Sequence, residues 1–340
     1  MHSSINPGPA KPTAQSNLDG LNELASPRRG LAVTSAEELI NLLRSKAGDI
    51  KQYAGLMPEA STLVNKLLVS HQIQANQLGY LFYQLCEGYC KDTALLYRIC
   101  DRLYRSSDIL DVSGLRFVAM GMGKRRIEYP PLSRAILRRT MNSETPLAPQ
   151  AVPSLLWGLT QLVSREELAP LWRAQAFRPQ IKAIADNPNA MRRLYEVAQV
   201  NGFEMPEFLK DFKISEGPSF KDPQRPMSPM EQELQSMLQR LGLSTGPRRL
   251  IGTVEANLTL LVADRQIAVL NVHVPKVLET SRTISGTDEM KVRLLATMGY
   301  ETLLVDTRTW AGSSQTQRQE KLEAELLRLG VRPDDSDCAT

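Results

Sequence analysis

The chain has 340 residues, 42% of them hydrophobic and 23% charged, with a formal net charge of +4. That length allows two cores, because single cores stop growing at roughly 250 to 300 residues. No run of about 18 apolar residues is present, so the sequence offers no membrane-spanning helix.

Residues 1 to 33 are rich in Ser, Pro, Ala and Asn, and no acidic residue precedes Asp19. Such a tail cannot bury enough apolar surface to order itself. It lacks the hydrophobic core of a secretory signal and the arginine-rich amphipathic pattern of a good mitochondrial presequence, although its scarcity of acids suits one.

From residue 34 to 213 the pattern is helical. Thr34-Ser35-Ala-Glu37-Glu38 is a capping signal ahead of Leu39, Ile40, Leu42 and Leu43. Amphipathic runs follow at 60 to 70, 75 to 90, 92 to 106, 112 to 123, 131 to 141, 150 to 163, 166 to 174, 178 to 185 and 188 to 201, with breaks expected at Pro58, Pro130-Pro131, Pro146, Pro149 and Pro188. Phe82, Phe117 and Trp157 each stand mid-helix, 35 and then 40 residues apart. That spacing suits a helix-turn-helix repeat, and an ordinary bundle with aromatic residues in its core is the other reading.

Residues 214 to 228 form a proline-rich linker, expected to separate two domains without fixing their geometry. Ser228-Pro229-Met-Glu231 then opens a helix with apolar Met230, Leu234, Met237 and Leu241. Strand signals at Leu250 to Leu261 and Ile267 to His273 flank a turn at Ala263-Asp264-Arg265-Gln266. A helix signal, Lys291-Val-Arg293-Leu-Leu-Ala-Thr-Met-Gly299-Tyr300, runs into a strand, Thr302-Leu-Leu-Val-Asp306, and Trp310. Val292, Leu295 and Met298 make its stripe, with Lys291 and Arg293 expected in solvent. A helix from Gln315 to Leu329 ends at Gly330, and residues 331 to 340 are an acidic tail.

Cys86, Cys90, Cys100 and Cys338 make no disulfide framework in a chain this long, which points to a reducing compartment. Cys86 and Cys90 lie four apart on one helical face, yet no second pair completes a metal site, so core packing is expected and no cofactor. His2, His71 and His273 form no constellation with a nucleophile; His273 alternates with Asn271 along a polar strand face.

Residues 1 to 230 carry 28 basic against 22 acidic residues, whereas residues 231 to 330 balance at 12 each. Within the first part, Arg116, Lys124, Arg125, Arg126, Arg134, Arg138 and Arg139 stand against Glu128 alone between residues 112 and 140. This is the candidate footprint for a polyanion, with an acidic partner protein or a plain solvated face as alternatives.

The opening helix, hairpin, Gly286-Thr287, Lys291-x-Arg293, Gly299-Tyr300, Trp310 and closing leucine helix together resemble a RAP domain over residues 229 to 330. Ala151-Val-Pro-Ser-Leu-Leu-Trp157-Gly-Leu-Thr-Gln-Leu162 likewise resembles the first helix of the degenerate repeats that precede RAP domains in organellar proteins. The resemblance implies a mixed fold, an all-α helical-repeat array followed by a small α/β endonuclease-like domain. It also implies RNA as partner, single-stranded or within ribosomal or messenger RNA, a mitochondrial location and a role in RNA processing, stability or translation. Lys291 and Arg293 join the expected RNA-binding residues on that ground. A structural subunit of a mitochondrial ribosome or RNA-processing complex, surrounded by other subunits and away from membrane, is the alternative.

The RAP fold is similar to PD-(D/E)xK nucleases, which hold a metal through acidic residues on the central hairpin. Here the corresponding stretch reads Leu270-Asn271-Val272-His273-Val274, and only Glu255 and Asp264 remain nearby. Asn and His are poor substitutes for carboxylates around a hard divalent cation, so a non-catalytic role is expected and a metal-dependent endoribonuclease is the lesser alternative.

Overall fold

Glycine and proline placement decides much of how this chain packs, and the computed structural model describes residues 33–46, 49–143, 147–210, 212, 226–272 and 284–331. The helical part runs α1 (Ala36–Lys46), α2 (Ile50–Val69), α3 (Ala75–Glu87), α4 (Thr93–Arg105), α5 (Val112–Arg125), α6 (Pro130–Met141), α7 (Val152–Thr160), α8 (Arg165–Ala176), α9 (Pro188–Asn201) and the short α10 (Glu207–Lys210). Local signals set several starts. Ser35 and Glu38 cap α1 reciprocally, and Asp92, Asp111, Ser164 and Asn187 cap α4, α5, α8 and α9.

These helices form two rows. Helices α1, α3, α5, α7 and α9 pack side by side in that order, and α2, α4, α6 and α8 do the same behind them. The first-row helices begin at Ala36, Ala75, Val112, Val152 and Pro188, 36 to 40 residues apart.

The first row is unusually close-packed where glycines meet. A Cβ on Gly79 would stand 3.3 Å from the Gly114 carbonyl, and one on Gly123 would stand 2.8 Å from that of Gly158. Met120-Gly-Met-Gly123 therefore lies inside α5 instead of ending it. A helical glycine costs about 1 kcal/mol, and here the close approach of neighbouring backbones offsets that cost. The break expected at Pro58 is also absent, because α2 runs through it. The proline removes one hydrogen bond, and the burial of Met57, Ala60, Val64 and Leu67 holds the helix together around it.

The second part begins with α11 (Pro229–Arg240), capped reciprocally by Ser228 and Glu231. Then come β1 (Thr245–Gly246), β2 (Arg249–Ile251), β3 (Val254–Ala256), β4 (Leu258–Val262), β5 (Arg265–Val272), α12 (Gly286–Thr297), β6 (Tyr300–Asp306), α13 (Thr307–Ala311) and α14 (Gln315–Arg328). The strand expected over Leu250 to Leu261 is three strands: Gly252, at φ 57°, turns β2 back onto β3, and β4 follows separately. The main sheet has the order β1-β4-β5-β6, antiparallel except for the parallel β5–β6 pair, which α12 connects.

One face of this sheet buries Ile267, Val269, Leu303 and Val305 against Leu234, Met237 and Leu238 of α11, Leu322 and Leu326 of α14, and Trp310. A polar network closes the end of α11. Arg248 pairs with Glu231 at 2.7 Å and with Glu255 at 3.2 Å, and Asn257 donates to Glu231 at 2.8 Å.

The two parts are not the loosely tethered domains expected from the linker, whose residues 214–225 lie outside the described set. From Ser35 onward the chain is one compact unit. Helix α12 joins it, packing on β6 and β3 on one side and on α5 and α9 on the other. A helix between two layers keeps little of its surface in solvent, here Thr287, Ala296 and Thr297. Lys291 and Arg293 are accordingly half-buried, and Met290, Leu294 and Leu295 are all buried.

Candidate nucleic-acid interface

The seven basic residues between 112 and 140 do not form one open patch. Successive helical residues point about 100° apart, so Lys124, Arg125 and Arg126 at the end of α5 diverge. Arg125 is only 5% exposed; its guanidinium donates to the Cys90 carbonyl at 3.1 Å and lies 5.5 Å from the Tyr89 ring. A phosphate cannot reach it, and it is corrected from an RNA contact to a strut between successive helical hairpins. Arg126 adopts a left-handed conformation, φ 51°, that ends α5, and pairs with Glu289 of α12 at 3.5 Å. Arg134 pairs with Glu167 at 3.2 Å. Arg138 and Arg139 are exposed on α6 with no carboxylate partner among the described residues.

Arg293 is also structural. It donates to the carbonyl of Thr160 at 3.1 Å, at the end of α7, where unpaired carbonyls attract cations. Lys291 pairs with Asp288 at 2.7 Å and faces a cleft described below.

Arg116 and Lys124 belong to a different arrangement, one visible only in three dimensions. On the first row, the Arg44 guanidinium of α1 lies 4.7 Å from the centre of the Tyr80 ring of α3. Tyr80 meets Phe117 of α5 edge to face at 4.8 Å, and Phe117 packs against Tyr83 at 5.5 Å. Arg116 stands over Phe117 at 4.5 Å and Lys124 over Tyr83 at 5.5 Å. Arg193 of α9 acts electrostatically on the Tyr83 hydroxyl, whose pKa burial and the nearby Glu87 carboxylate push up. Three half-exposed rings thus run in sequence with four cations beside them, and Glu87, paired with Lys124, is the acid at their end.

Tyr80, Tyr83, Arg44 and Arg193 escaped the sequence reading. Their signal was the spacing of Tyr80 and Phe117, which are 37 residues apart, as are the starts of α3 and α5. Phe82, chosen instead, is fully buried, as is most of Trp157.

The run leads to a cleft between α5, α9 and α12 of about 150 Å³, lined by Met120, Lys124, Trp157, Arg192, Arg193, Glu196, Thr253, Thr287, Met290 and Lys291. Glu196 accepts from the Trp157 indole N–H at 2.9 Å and lies 3.6 Å from Arg192. Its burial pushes its pKa up, against the pull of Arg192 and the indole.

The acids near the central hairpin lie as follows. Asp264 stands in the turn before β5 and Asn271 near the far end of that strand, roughly 23 Å away at ~3.3 Å per residue. Glu255 is held by Arg248. His273 lies outside the described residues. Among the described residues, no cluster of three or more His, Cys, Asp or Glu side chains is placed to hold a metal. Cys86, Cys90 and Cys100 are buried free thiols whose pKa burial raises, to about 12 for Cys100, which suits packing and disfavours the thiolate.

No described helix is long and apolar enough to cross a membrane. Comparison with protein-family models and with curated proteins finds no match.

Proposed function

We propose that this chain is a non-catalytic RNA-binding protein of the RAP type, in which an array of helical-hairpin repeats carries single-stranded RNA and the α/β region serves as its docked end piece. The observation that carries the reading is the run Arg44, Tyr80, Phe117, Arg116, Tyr83, Lys124 and Arg193. Base-stacking rings alternating with phosphate-binding cations are what sequence-tolerant single-strand binding requires.

The repeat reading draws support from bonds that recur at one-hairpin separations. Arg125 reaches Cys90 across 35 residues, Lys124 reaches Glu87 across 37, and Trp157 reaches Glu196 across 39. The compartment follows from the resemblance to RAP proteins, which implies a mitochondrion.

Binding of the full chain to single-stranded and duplex RNA over a salt series tests the function. Tighter binding of the single strand, weakening steeply with salt, is expected. Affinity that is absent, or indifferent to salt, would sink it.

A second reading, a subunit inside a larger ribonucleoprotein, rests on the other row. There Arg98, Arg102 and Arg105 of α4 and Arg138 and Arg139 of α6 are exposed together with Tyr97 and Tyr104. A cationic, aromatic face on each row allows contact with RNA on both sides. Co-sedimentation with a large particle in cell extracts, lost on RNase treatment, would favour this reading over a freely acting binder.

A further inference from the structure

The aromatic run is open at α1 and closed at α12. Beyond Lys124 the first row is covered: the backbone of Gly286 rests on that of Gly123, Glu289 pairs with Arg126 at 3.5 Å, and Arg293 bonds to Thr160 at 3.1 Å. A strand following Arg44, Tyr80, Phe117 and Tyr83 therefore meets a wall. The cleft described above lies at the foot of that wall.

Its charges are unevenly matched. Lys124 pairs with Glu87, Lys291 with Asp288 and Arg192 with Glu196. Arg193 has no carboxylate within 4 Å among the described residues and bonds the Ser154 hydroxyl at 2.6 Å. Four cations thus face three carboxylates over a floor of Met120, Trp157 and Met290. Burial lowers the Arg193 pKa, and Arg192 adds to the effect, against the more distant pull of Glu196 and Glu87.

We propose that the cleft is an end-binding pocket: the protein holds a free end of a single-stranded RNA, with its terminal phosphate between Lys124, Arg193 and Lys291. This rests on the RNA-binding reading above. A terminal phosphate carries a second negative charge that an internal phosphodiester lacks, and only a free end can enter a closed run. The Arg193 guanidinium offers two parallel N–H donors to such an oxygen pair.

The test is equilibrium binding of the full chain to one oligoribonucleotide sequence in four forms: 5′-phosphorylated, 3′-phosphorylated, hydroxyl at both ends, and covalently circular. One phosphorylated form is expected to bind about tenfold tighter than the hydroxyl form, the size of one or two charged hydrogen bonds. The circle is expected to bind more weakly than any linear form. Which phosphorylated form gains tells the direction of the strand.

A circle that binds as tightly as the linear forms, or a hydroxyl end as tight as both phosphorylated ends, overturns the end-binding proposal while leaving RNA binding intact. Failure of all four forms to bind overturns both. Lys291→Gln, which removes one of the three cations around the terminal phosphate at a half-buried position, should erase the preference for the phosphorylated form. A preference that survives Lys291→Gln counts against the pocket.

Discussion

Gly286, the first residue of α12, lies directly against the carbonyl of Gly123 near the end of α5, so close that a Cβ on Gly286 would overlap that oxygen. The obstacle is backbone on both sides and cannot rotate away. Gly286→Ala is therefore expected to push the α/β region off the first row, costing about 1–3 kcal/mol in denaturant unfolding and broadening or splitting the transition. Gly55→Ala is the control. Nothing lies within 4 Å of its added methyl in α2, so it should raise stability by about 1 kcal/mol.

Phe117 touches both Tyr80 and Tyr83, so its loss opens the middle of the aromatic run. Phe117→Ala is expected to weaken single-stranded RNA binding by about 1–3 kcal/mol, the worth of one stacked base, with little change for duplex RNA. Equal losses on both RNAs, in a protein that is still folded by circular dichroism, would count against stacking.

The cations of α1 and α5 should divide by location. Arg44→Gln and Arg116→Gln are expected to reduce the salt dependence of RNA binding, because each removes a cation beside a ring. Arg125→Met should leave RNA affinity and its salt slope unchanged, since that guanidinium is sealed against Cys90 and Tyr89. An Arg125→Met protein that folds yet loses affinity would show that this site was misassigned.

Glu231 sets a pH dependence. Burial alone would raise its pKa, but the Ser228 amide, Asn257 and Arg248 outweigh burial and hold it at about 2, below the ordinary 4.5. A carboxyl with a lowered folded pKa stabilises the fold above its unfolded pKa and stops doing so as pH falls through the folded one. Stability should therefore decline between pH 4.5 and about 2, with a contribution from this group on the order of 3 kcal/mol. Glu231→Gln should remove that acid limb and, by taking the closest carboxylate from the buried Arg248, cost about 3–5 kcal/mol near neutral pH. Urea titrations of both proteins from pH 7 to pH 2 would measure it.

Signals confined to one turn were legible. Ser228, Pro229 and Glu231 announced α11, and Gly299, at φ 81°, stands just past the end of α12 as its sequence position implied. Signals that depend on neighbours were not. Glycines 121 and 123 read as a helix end because their compensation lies on α3 and α7. Lys124, Arg125 and Arg126 read as one patch because adjacency in sequence was taken for adjacency on a surface. The half-exposed run from Arg44 to Arg193 draws on four helices and more than a hundred residues, a range over which no local pattern can be read.

The contact between Arg126 and Glu289 spans 163 residues. Pairings of such range form late, since the intervening chain must first be closed into a loop. During synthesis the hairpins up to α9 are complete well before α12 exists. The row of helices is in that interval open beyond Lys124, and only the last third of translation supplies the helix that closes it.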